Sequence, residues 1–313
     1  MQVRMAAFAG ALVALALAGC GNNVTSGTVN SPTVEAKQTT YEVPLDNATT
    51  VDLTVGSLVS DVNVEPLDPS SPLLLYAELG YVGNLTTTAE GAEARTVTIN
   101  DELNSYSYNG PNLAFDIGLN RLPSVRMRVS ASSGDVNLNL RNFNLLGLDV
   151  STASGSVSAE LPAGSGPYVV NTQTASGAVE FTLADDTAVQ FESITTSSGD
   201  IRITAGNSGA IVGTMVNSSS GNVTLNFPSE VTAGFRIGTS SGNIIVNVPD
   251  GVPVRLEVVS NASGDVSVPA GMTQIQGQGD LGVWQTADYP DSGTTPRIEI
   301  IVTSTASGDV TIQ

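Results

Sequence analysis

Histidine is absent from this chain of 313 residues. That excludes Ser-His triads, His-ligated metals and the usual general base. Cysteine occurs once, as Cys20, so no disulfide can close within the chain. Basic residues are scarce: 11 Lys and Arg stand against 30 Asp and Glu. The net charge of −19 would repel phosphates, so no nucleic-acid partner is expected. Charged residues are only 13% of the chain, so the surface must be carried by Ser, Thr, Asn and Gly. Past the N-terminus no stretch repeats every 3.6 residues, which leaves helices out. Phosphate loops and dinucleotide fingerprints are missing too. Gly277-Gln278-Gly279 has neither the strand nor the helix such a motif needs.

What the chain has in quantity is a repeated phrase. Ser-Gly pairs recur with their glycines at Gly134, Gly155, Gly177, Gly199, Gly221, Gly242, Gly264 and Gly308. Successive glycines lie 21 or 22 residues apart, except the last, which is 44 from its predecessor. That last interval reads as two periods with one copy blurred near Thr286. A period of this length marks a solenoid or an array. Two residues after each glycine comes Val or Ile, and four after it an apolar residue, as in Ile201 and Ile203. This is the period-2 pattern of a half-buried strand. A second strand runs in from Val129, Val150, Ile194, Val216, Ile237 and Val259, each five residues before its glycine. Pro162, Pro228 and Pro249 end the runs, since proline has no N–H for a ladder. Each period therefore holds a strand, a Ser-Gly corner, a strand and a variable loop. Glycine suits the corner by tolerating positive φ and by letting coils approach closely. The serine can bond backbone groups freed by the bend.

One coil buries about six apolar side chains, roughly 9–18 kcal/mol. Ordering its backbone costs about 22–44 kcal/mol. A single coil cannot fold, whereas stacked coils share faces and ladders. The expected fold is all-β, a right-handed parallel β-solenoid of about 22 residues per coil. An antiparallel β-sandwich is the alternative.

In chain order, residues 1–20 read as a processing segment with Arg4 ahead of a short apolar core. Leu17-Ala18-Gly19-Cys20 resembles the bacterial lipobox. That resemblance implies cleavage before Cys20, acylation of its thiol, and a stable anchor in the cell membrane or outer membrane. The exported protein would then face the periplasm or the outside. Residues 21–40 are polar and aperiodic and read as a flexible tether. Residues 41–313 form the solenoid: irregular N-terminal coils and a cap over 41–120, then regular repeats over 121–313. Leu58-Val59-Ser60-Asp61-Val62-Asn63-Val64 looks like a worn copy with Asp61 in the aspartate slot. Gly271 to Pro296 reads as a longer coil whose loop bulges out, with Trp284 packed on the solenoid side or serving as a platform for a sugar or peptide. The chain stops inside a strand at Thr311-Ile312-Gln313, an edge either shielded by the bulge or left open for another chain.

No catalytic residues, cofactor or metal site are expected. The slot after each glycine holds Asp135, Ser156, Ala178, Asp200, Asn222, Asn243, Asp265 and Asp309. Neutral residues interrupt the acids, so no calcium cage is expected, and Asp and Asn fit as corner residues with local bonds. Asp185-Asp186 reads as solvated loop. Arg126, Arg128 and Arg202 are read as the only basic side chains on regular strands.

Thr196-Ser197-Ser198-Gly199-Asp200-Ile201-Arg202-Ile203 and Thr305-Ala306-Ser307-Gly308-Asp309-Val310-Thr311-Ile312 carry the fullest form of the phrase. With Leu122-Pro123 ahead of the repeats and a lipoprotein signal, the chain resembles a bacterial β-strand-repeat family of unknown function labelled candidate adhesins. The resemblance spans about residues 50–313. It implies the solenoid, supplies no catalytic residues and says little about function. The expected role is that of a non-enzymatic, lipid-anchored envelope protein whose solenoid surface serves adhesion or envelope contact, with a glycan or envelope protein as partner. The alternatives are a polysaccharide-active β-helix enzyme, which needs paired carboxylates in a groove, and a structural or envelope-stress accessory with no ligand of its own.

Overall fold

The structure is a computed structural model that describes residues 35–102, 108, 110, 112–164, 166–290 and 296–313. Cys20 and the leader lie outside the described residues, as does most of the expected tether. Thr33–Gln313 is a compact unit by itself. Among the described residues there are strands and no α-helix.

The N-terminal strands are β1 (Lys37–Pro44), β2 (Thr50–Ser57), β3 (Ser60–Pro66), β4 (Leu73–Tyr81), β5 (Asn84–Glu90), β6 (Ala94–Glu102) and β7 (Leu113–Leu119). The tether is therefore shorter than expected, because Lys37 to Thr40 already pair with β4. The regular body follows as β8 (Ser124–Ala131), β9 (Val136–Asn139), β10 (Asn144–Thr152), β11 (Val157–Leu161), β12 (Tyr168–Thr174), β13 (Val179–Leu183), β14 (Thr187–Thr196), β15 (Ile201–Thr204), β16 (Ser208–Ser218), β17 (Val223–Asn226), β18 (Glu230–Thr239) and β19 (Ile244–Asn247). The C-terminal strands are β20 (Val254–Val258), β21 (Val266–Ser267), β22 (Met272–Gln278), β23 (Leu281–Thr286), β24 (Ile298–Ser304) and β25 (Val310–Ile312).

In the body each coil gives a long strand to one sheet and, past the Ser-Gly corner, a short strand to the other. Like strands of successive coils pair in parallel, as β12 with β14 and β13 with β15. The result is a 13-stranded long-strand sheet and a 12-stranded short-strand sheet, the two walls of a β-solenoid. Alternation decides what is buried: Val136 and Leu138 point in while Asn137 points out. The walls meet in one apolar core, where Phe181 of β13 lies 5.2 Å from Phe191 of β14, ring centre to ring centre.

The order of coils in space departs from their order in the chain at both ends. Short strand β25 lies between β19 and β21, and long strand β24 between β18 and β20. The coil carrying Gly308 is thus wedged between those of Gly242 and Gly264. The blurred copy expected between Gly264 and Gly308 does not exist. Its residues form the antiparallel hairpin β22–β23, with Gly279 at φ 60° in its turn, and β23 pairs antiparallel with β20 to cover the long-strand sheet, while β21 stays at the edge of the short-strand sheet. The chain's final strand is not an edge at all. The N-terminal end repeats the device: β2 and β3 lie between β6/β7 and β8/β9, while β4, β1 and β5 cap them antiparallel. An outermost parallel coil would leave a row of N–H and C=O groups unpaired. Chain reversal supplies the antiparallel strands β1, β4, β5, β22 and β23, while β2/β3 at one end and β24/β25 at the other fill inner rungs with two hydrogen-bonding neighbours.

Candidate contact surface

The eight repeat glycines stand in one column, and the close approach of coils is the reason for glycine. A Cβ on Gly155 would collide with the carbonyl of Gly134, one on Gly177 with Gly155, and so on through Gly199, Gly221 and Gly242 to Gly308 and Gly264. The expected positive φ is not found: none of the eight is among the residues with positive φ. Ser60 fills the glycine slot of the worn copy beneath Gly134, and Asp61 does sit in the aspartate slot.

Two side-chain ladders bolt the corners together. The hydroxyl three residues before the glycine is buried and works on both sides of the bend. Thr196 accepts from the Gly199 N–H at 2.9 Å and donates to the Gly177 carbonyl at 3.3 Å; Ser218 does the same for Gly221 and Gly199 at 2.8 and 3.1 Å. This hydroxyl carries the bend, a part the sequence reading assigned to the serine next to the glycine. That serine instead reaches across to the next coil, as Ser263 does to the Ala306 carbonyl at 2.9 Å. Nor are the Asp and Asn bonds local. Asp200 accepts the Asn222 N–H at 2.7 Å, Asn222 that of Asn243, Asn243 that of Asp309, and Asp309 that of Asp265. The acids are spent on neighbouring coils. Among the described residues no group of three His, Cys, Asp or Glu is placed to hold a metal ion.

The short-strand sheet turns a polar face outward. Two lines of amides run along it, perpendicular to the strands. In one, Asn137 donates to Asn63 at 3.0 Å and Asn63 to Asp116 at 2.8 Å. In the other, Gln313 donates to Asn247 at 2.8 Å, Asn247 to Asn226 at 2.6 Å and Asn226 to Thr204 at 3.1 Å. Towards the N-terminal cap the face becomes acidic, with Asp61, Glu65, Glu78 and Asp116. Glu78 and Asp116 oppose each other in a recess of about 690 Å³. Both act as acceptors: Asp116 from Asn63, and Glu78 from Tyr76, whose hydroxyl is held above its ordinary pKa by that bond. Asp185 and Asp186 are likewise engaged, taking the Asn207 N–H at 2.8 Å and the Ser208 hydroxyl. The bond from Asn207 holds the Asp185 carboxyl below its usual range.

The long-strand sheet turns out a different face. A shallow recess of about 390 Å³ is lined by Arg128, Asp149, Asn171, Gln173 and Thr195. Arg126 pairs with Asp52 at 3.6 Å, Arg128 with Asp149 at 3.6 Å and Arg255 with Glu299 at 3.7 Å. Val169, Val212 and Met215 stand exposed among them, Val212 by 51%. Arg95, Arg236 and Arg255 also lie on strands of this sheet, beyond the set of Arg126, Arg128 and Arg202 expected from the sequence. Trp284 is 7% exposed, faces Leu256 across β20–β23 and belongs to the core, so it is no open platform.

Residues 121–313 match the family model described as Toastrack DUF4097. Among curated proteins none matches. A crystal structure of a candidate cell adhesion protein from Clostridium sporogenes is similar at 14% identity, with a TM-score of 0.38, covering 89% of this chain and 99% of that one.

Proposed function

This chain belongs to the Toastrack DUF4097 family, and we propose that it is a non-enzymatic, lipid-anchored protein of the cell envelope whose short-strand face makes adhesive contact with an envelope glycan. The observation that carries this reading is the pair of amide ladders. Their side chains already hold one another, so little rotamer freedom is lost when a ligand arrives. The polar face offers amides and hydroxyls at strand spacing, about 4.8 Å, which suits a hydroxyl-rich polymer better than an apolar one. A glycosidase would need one carboxyl holding a proton to donate. Glu78 and Asp116 each act as acceptors.

The test immobilises residues 33–313 and applies envelope polysaccharide fragments. Retention that falls at least ~10-fold in an Asn226→Ala, Asn247→Ala double variant is the expected result; a lost ladder bond is worth about 1 kcal/mol at each site. Retention indifferent to those changes, or retention of envelope proteins alone, overturns it. The anchor is tested apart from the face. Cys20→Ser is expected to lose lipid labelling and leave the membrane fraction, and persistence there would remove the anchor from the reading.

A further inference from the structure

The outer face of the long-strand sheet carries a self-complementary pattern. Take the row of outward residues that crosses the sheet at Gln190 of β14. One strand away on either side stand Val169 of β12 and Val212 of β16. Two strands away stand Gly147 of β10 and Gly234 of β18. Three away are Arg126 and Glu299, and four away Asp52 and Arg255. Read outward from Gln190, the two halves match in shape and are opposite in charge. In the neighbouring row Asp149, two strands to one side of β14, is matched by Arg236 two strands to the other, whereas farther out Arg128 is matched by Ile301 and Thr54 by Glu257.

From this we propose that two copies of the chain pack face to face through the long-strand sheet, about a two-fold axis running along β14. Such an axis lays each row on its own reverse. Val169 meets the second copy's Val212, Arg126 meets Glu299, Asp52 meets Arg255 and Asp149 meets Arg236, each contact occurring twice, as an isologous interface requires. Within one copy Arg126–Asp52 is an exposed pair of little worth, and Arg255–Glu299 is a half-buried one at 3.7 Å. Across the axis they merge into clusters of four alternating charges. A Cβ on Gly234 would meet nothing within its own copy, so that position allows close approach, while Gly147 opposite it is already covered beside Arg126. Nine strands at about 4.8 Å span roughly 40 Å, and the strands expose about 20 Å of length. The patch is therefore about 800 Å² a side, the size of a standard specific interface. Two contacts oppose this packing: Glu192, exposed in the β14 bulge, meets its own copy on the axis, and Arg128 lands on Ile301 beside the second copy's Arg236.

This inference goes beyond the proposed contact role and stands on a different face. Sedimentation of residues 33–313 needs no ligand, so its failure leaves the glycan reading untouched. The wild-type chain is expected to sediment as a dimer. Arg236→Glu and Asp149→Arg should each weaken self-association roughly 100-fold or more, because each creates two like-charge contacts. Mixed together, the two variants should sediment as a heterodimer, since each then supplies the charge the other lacks. Glu192→Gln should tighten the wild-type dimer several-fold. A wild-type monomer at the highest soluble concentration overturns the proposal. So do variants that dimerise like the wild type, or a mixture that stays monomeric although both partners are folded. A monomer whose long-strand face retains polysaccharide instead also overturns it.

Discussion

Glycine at the corner is a matter of space, and substitutions should show it. In Gly199→Ala the new methyl collides with the Gly177 backbone, which cannot move without shifting a whole coil. The expected loss is above about 4 kcal/mol, in the range reserved for severe strain. Gly271 has open space around its missing Cβ and no positive φ, so Gly271→Ala should stay within about 0.5 kcal/mol. Urea unfolding of both variants separates close approach from a general dislike of alanine. Thr196→Val strips the Gly199 N–H and the Gly177 carbonyl of their partner and should cost about 1–3 kcal/mol. Ser133→Ala, on an exposed hydroxyl, should cost less than about 0.5 kcal/mol. Asp101 offers a pH signature. Burial lifts its carboxyl to about 6, and only one of its oxygens has a partner, the Leu58 N–H at 2.8 Å. Its folded pKa lies above its unfolded value, so between about pH 4 and 6 the folded chain holds the extra proton. The group's contribution to stability therefore falls as pH rises through that window and stays low above it. Asp101→Asn keeps an acceptor for Leu58 and removes the charge. It should be more stable than the wild type at pH 7.5 by about 1–2 kcal/mol, and the gap should close near pH 4.

At the scale of the element, the threaded ends alter what a terminus means. A last coil at an open edge would fray, with amides exchanging through local opening. Here β24 and β25 have neighbours on both sides, whereas β1 and β5 have only one. Amides of Ile300 and Val302 are thus expected to exchange as slowly as those of Ile201 in the body. Amides facing outward from β1 and β5 should exchange orders of magnitude faster. Equal protection across all four strands would contradict the wedged arrangement. This is also where the repeat misled the sequence reading. Gly242 and Gly264 are 22 residues apart and look like neighbours, yet Gly308 stands between them. Period reports how long a coil is. It carries no record of which coil a chain returns to, since β25 pairs as well with β19 as β21 would have.

Over the whole molecule the core runs without a break from Val43 to Ile312, through N-terminal coils and regular body alike. Unfolding followed by Trp284 fluorescence, at one end, should therefore coincide with loss of β-sheet dichroism from the rest. Separate transitions would mean that 41–120 is an independent domain. The two outer faces share this core and differ in chemistry: amide ladders and acids on one, alternating charges around exposed valines on the other. Strand by strand the alternation was legible, because burial follows a two-residue period written in the sequence. Which outward residues share a row was not. Arg126, Gly147, Val169 and Gln190 come together through registers and bulges that no single period contains. The sequence alone determined the coil, the corner and the column of glycines, because each follows from local pattern and the volume of a hydrogen atom. Only the tertiary structure decided the order of the rungs, the caps and the two faces, because those depend on pairing between segments far apart in the chain.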